Sequence, residues 1–92
     1  MARIRVSRKG VTQAELAAVL TRRLGGGYEV EPDGDGRVVV RRSPLATAVV
    51  RIRDVPGATV FRVHGGGLPL YRIGTTRRVT DALRRSPEFR SV

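Results

Sequence analysis

The 92-residue chain carries 18 basic and 8 acidic side chains for a formal charge of +10, and 17 of the basic residues are arginine. A chain of this length holds one hydrophobic core, so a single domain spanning 1–92 is expected, with little room for an enclosed catalytic cavity. It has no cysteine, which excludes disulfides, thiolate metal sites and a cysteine nucleophile. No run is long and apolar enough to span a membrane, and Met1 to Gly10 lacks the apolar stretch of a secretory signal. The expected compartment is the cytoplasm, with no membrane partner.

Arg3-Ile4-Arg5-Val6 alternates charged and apolar residues, the pattern of a short N-terminal strand or basic arm. Thr12 and Glu15 then form a T-x-x-E capping box flanked by Val11 and Leu16, which predicts a helix starting at Gln13. Leu16, Ala17, Leu20 and Leu24 share one stripe of it, and Gly25-Gly26-Gly27 stops it. The period changes to two from Tyr28. Tyr28–Glu31 and Arg37–Arg41 read as strands joined by the Asp-Gly-rich loop 32–36. Ala46–Arg53 and Thr59–His64 read as two more, separated by the turn Asp54–Gly57. The glycine-rich stretch 65–74 reads as an irregular linker whose Leu68, Leu70 and Ile73 cover a core edge, and the last helix is expected to begin after Thr75 or Thr76 and to end near Ser86. The fold class is α+β: a four-stranded antiparallel sheet with a possible fifth N-terminal strand and two helices on one face, in the order (β)-α-β-β-β-β-α.

Charge is unevenly placed. Residues 26–36 sum to −4 and residues 37–53 to +5. If the apolar set Tyr28, Val30, Val38, Val40, Ala48, Val50, Ile52, Phe61 and Val63 faces the helices, alternation puts Arg37, Arg41, Arg51, Arg53, Arg62 and His64 on the opposite sheet face, among Val39, Val49 and Val60. On the last helix Val79, Ala82 and Leu83 form a narrow apolar face, and Arg77, Arg78, Arg84 and Arg85 point away from it.

Guanidinium groups suit phosphate because their planar fork donates paired hydrogen bonds. The expected function is therefore a small non-enzymatic binder of nucleic acid or another polyanion, through Arg37, Arg41, Arg51, Arg53 and Arg62 on the sheet and Arg77, Arg78, Arg84 and Arg85 on the helix. With Tyr28 and Phe61 in the core, few aromatics remain for base stacking, so backbone contacts with little sequence preference are expected. Arginine beside exposed valine also suits a protein interface, so the alternative is an interaction or structural module, including a homodimer through this face or through a strand edge.

Thr59–Gly65, followed by Gly74-Thr75-Thr76-Arg77-Arg78 and a helix, resembles the C-terminal half of a double-stranded-RNA-binding domain. That resemblance implies phosphate contacts from Thr76, Arg77 and Arg78 in the first turn of the helix. The sequence departs from the family at Thr80 and Asp81, which stand where it prefers alanine and lysine, and it has more strands.

Catalytic motifs fail on their partners. His64-Gly65-Gly66-Gly67 matches the oxyanion element of lipases, but no G-x-S-x-G accompanies it. A lone histidine without cysteine makes no conventional zinc site. Asp33 and Asp35 begin a calcium-loop pattern that lacks its remaining ligands. No catalytic residue, metal or cofactor is therefore assigned.

Overall fold

A computed structural model describes residues 2–34, 36–67 and 69–89. The elements in chain order are β1 (Ala2–Val6), α1 (Gln13–Leu24), β2 (Glu29–Pro32), β3 (Arg37–Ser43), β4 (Ala46–Val55), β5 (Ala58–Gly67) and α2 (Pro69–Arg85), closed by a 3₁₀ turn at Pro87–Phe89. The strands form one antiparallel sheet in the order β1-β5-β4-β3-β2. The fold is thus α+β with five strands, and the N-terminal strand is a full member at one edge. β2 to β5 form a meander, while α1 carries the chain across the sheet from β1 at one edge to β2 at the other.

Both helices lie on one face. α1 packs on β2 and β3, α2 on β5, β4 and β1, and the two helices touch each other. The core between the layers holds Leu16, Val19 and Leu20 of α1, Val79 and Leu83 of α2, and Val6, Val38, Val40, Val50, Phe61 and Val63 of the sheet. Phe61 is the largest fully buried side chain and meets Phe89 edge-on with centroids 5.1 Å apart.

The start of α1 follows the sequence pattern. The Thr12 hydroxyl accepts from the Glu15 amide at 3.1 Å, Val11 and Leu16 are buried together, and Gly25 ends the helix at φ 76°, where a Cβ is disfavoured. Glu15 also pairs with Arg8, whose guanidinium lies 5.9 Å from the Phe89 ring centre.

Three expectations are corrected. The glycines after His64 do not leave the sheet: β5 continues through Gly67, with Gly65, Gly66 and Gly67 opposite Ala48, Thr47 and Ala46. Close approach is the reason, since a Cβ on Gly66 would lie 2.6 Å from the Thr47 hydroxyl. Gly66→Ala should therefore destabilise the fold by roughly 1–3 kcal/mol, and adding Thr47→Ala should restore most of the loss, as read by denaturant titration of the single and double variants.

The second correction is the start of α2, which begins at Pro69 instead of after Thr75 or Thr76. Proline fits the first helical position, where its missing N–H has no helical partner to lose. Gly74 falls inside the helix with a negative φ and open space where a Cβ would stand. Gly74→Ala is accordingly expected to raise stability by about 0.5–1 kcal/mol and to shift the thermal midpoint upward. Thr76, Arg77 and Arg78 thus sit beyond the first turn, and the sheet has five strands, so the expectations from the double-stranded-RNA-binding resemblance do not hold here. The third correction is Ile73, which is 61% exposed and covers no core edge; Leu68 is outside the described residues.

Candidate nucleic-acid interface

Among the described residues no other element covers the face of the sheet away from the helices, and strand register orders its side chains into rows. Arg3 of β1 pairs with Arg62 of β5, Arg62 with Arg51 of β4, and Arg51 with Arg37 of β3. Four arginines therefore cross four adjacent strands in one line, about 14 Å long at the usual strand spacing. On one side runs Arg5–Val60–Arg53; on the other, His64–Val49–Val39–Glu31, followed by Gly66–Thr47–Arg41–Glu29. Seven arginines share this face with two glutamates, and both glutamates stand on the β2 edge.

Residues directly opposite on one sheet face have Cβ atoms about 5 Å apart, so the line sets like charges side by side. Two arginines of the face are countered: Arg37, at the end of the line, pairs with Asp33 at 2.6 Å, and Arg41 approaches Glu29 at 4.0 Å. Among the described residues no carboxylate lies within ion-pair distance of Arg3, Arg51, Arg53 or Arg62. The twist of the sheet leaves two shallow depressions along the line. One, of about 430 Å³, is walled by Arg37, Arg51, Arg62 and His64 over Val49; the other, of about 280 Å³, by Arg3, Arg53 and Arg62 over Val55 and Val60. Arg62 belongs to both. Val39, Val49 and Val60 are half-buried beneath the arginine stems.

The five sheet arginines expected from the sequence, Arg37, Arg41, Arg51, Arg53 and Arg62, thus share one surface. Arg3 and Arg5 join them and were not expected there. Their signal was the Arg3-Ile4-Arg5-Val6 alternation, which becomes informative once β1 is seen to pair with β5. Arg77, Arg78, Arg84 and Arg85 are all exposed on α2 and belong to the opposite layer, so they are not continuous with the sheet site. Arg42, next to Arg41 on β3, falls on the helix side by simple alternation, and its guanidinium lies 5.9 Å from the Tyr28 ring centre.

No described side chain on the open face is aromatic apart from the imidazole of His64, since Phe61 is in the core and Tyr28 packs against it from the helix side. Asp33, one of the two aspartates of the calcium-like loop, is occupied by Arg37, and Asp35 is outside the described residues. No helix among the described residues is long and apolar enough to cross a membrane.

No known protein family matches this chain, and no curated protein or solved structure shows detectable similarity to it. The open face must be interpreted from its own chemistry.

Proposed function

We propose that the open face of the sheet binds the phosphate backbone of nucleic acid, with no catalysis. The observation that carries this reading is the line Arg3–Arg62–Arg51–Arg37. Like charges held opposite one another oppose folding in the free protein, and a polyanion laid across the strands turns each repulsive pair into two favourable contacts. The absence of stacking aromatics on the described face favours backbone contacts over base readout.

Titration of fluorescently labelled duplex DNA, single-stranded DNA and duplex RNA tests it. Four phosphate contacts predict a slope of log affinity against log salt near −3.6 for duplex DNA, or about a hundredfold loss between roughly 50 and 200 mM salt. No binding to any of the three at the lower salt overturns the proposal.

The half-buried valines favour a second reading, in which the partner is a protein with carboxylates around an apolar patch. A second copy docked face to face would set arginine against arginine, so in this reading the partner is acidic. It is supported if nucleic acid fails to bind while an acidic protein is retained at a mixed-charge ratio that salt reverses.

A further inference from the structure

On the helical side of the molecule, the C-terminal end of α1 and the C-terminal half of α2 border a cleft of about 260 Å³. Arg23 lines it from α1, and Arg78 and Arg85 line it from α2. Seven residues is close to two helical turns, so Arg78 and Arg85 share one side of α2 with their Cα atoms about 10 Å apart, near enough for two arginine side chains to converge on one group. Asp81 lies one turn from each and also lines the cleft. Among the described residues it forms no ion pair with either arginine. Leu24 and Ala82 supply an apolar wall.

Tyr28 provides a second, independent observation. It lines the same cleft, and its hydroxyl is shielded from solvent with no hydrogen-bond partner. A phenol group left in this state is costly, and a small turn of the ring toward the cleft would let an entering acceptor relieve it. The guanidiniums call for a dianion and the phenol O–H for an acceptor oxygen. The Asp81 carboxylate would repel a bare anion but accepts hydrogen bonds from hydroxyls.

We infer that this cleft binds a hydroxyl-bearing phosphate monoester, of the sugar phosphate or nucleoside monophosphate class. The phosphate is held by Arg78 and Arg85 with the Tyr28 hydroxyl, and a ligand hydroxyl donates to Asp81. The site lies on the opposite layer from the arginine line and does not rest on the nucleic-acid reading.

The test is titration of the full chain with ribose 5-phosphate, inorganic phosphate and ribose, followed by backbone amide NMR shifts. Ribose 5-phosphate should saturate with shifts centred on Tyr28, Arg78 and Arg85, bind at least tenfold more tightly than inorganic phosphate, and ribose should not bind. Arg78→Gln with Arg85→Gln should weaken it tenfold or more. These positions are exposed and outside the core, so the fold is preserved and the loss reads the site. Asp81→Asn should weaken ribose 5-phosphate and tighten inorganic phosphate. Linear, non-saturating shifts or an unaffected double variant would overturn the site. Tightening of both probes by Asp81→Asn would overturn the hydroxylated class. DNA binding by the same preparations reports the sheet face separately, so each reading can fail without the other.

Discussion

Arg62→Glu is expected to weaken binding of labelled duplex DNA by roughly ten- to a hundredfold, lower the salt slope by about one, and leave the free protein more stable than the parent. Arg62 borders both depressions and sits in the line between Arg3 and Arg51, so its reversal interrupts the surface at its centre. The same change converts two like-charged cross-strand pairs into two opposite ones. Each such pair is worth roughly 0.2–1 kcal/mol, giving a gain of about 0.5–2 kcal/mol and a rise of several degrees in the thermal midpoint at low salt. Salt itself should stabilise the parent more than the variant, because screening relieves a repulsion that the variant lacks. Loss of binding with increased stability separates a functional role from misfolding. A variant that binds as the parent does would remove Arg62 from the interface, and one that loses stability would show that the like-charge line is not a cost to the fold.

Phe61→Ala should have the largest effect on folding, a loss of about 3–5 kcal/mol by denaturant titration. Phe61 is fully buried on β5, between Ile4 of β1 and Ile52 of β4, and its ring receives Phe89 from the C-terminal turn. Domains of this size retain about 5–14 kcal/mol in total, so the variant should be largely unfolded at physiological temperature. Phe89→Ala removes only the edge contact and its own burial, and should cost less. Equal losses would mean that the C-terminal turn is as central to the core as β5.

Much of the architecture was legible because it is local. A capping box, a glycine stop, Asp-Gly turns and period-two alternation are each written within a few residues, and each constrains the chain through sterics or nearby hydrogen bonds whatever the rest of the molecule does. Alternation alone assigned Arg37, Arg41, Arg51, Arg53 and Arg62 to one face, and the structure places them there. Glycine was where local reading failed. Residues 65–67 and 74 looked like punctuation, yet the first three continue a strand beside Thr47 and the last lies in a helix. A glycine's meaning depends on what approaches it, and those neighbours are distant in sequence.

The sequence by itself therefore determined the α+β class, the identity of most core residues and the side of the sheet on which the arginines stand, because side-chain period and solvent transfer act residue by residue. Only the tertiary structure decided that β1 pairs with β5, that Arg3, Arg62, Arg51 and Arg37 fall into one line, and that Arg78 and Arg85 border one cleft with Tyr28. Those relations are set by strand register and by how α1 and α2 settle against one shared core, and they join residues up to about sixty positions apart in the chain.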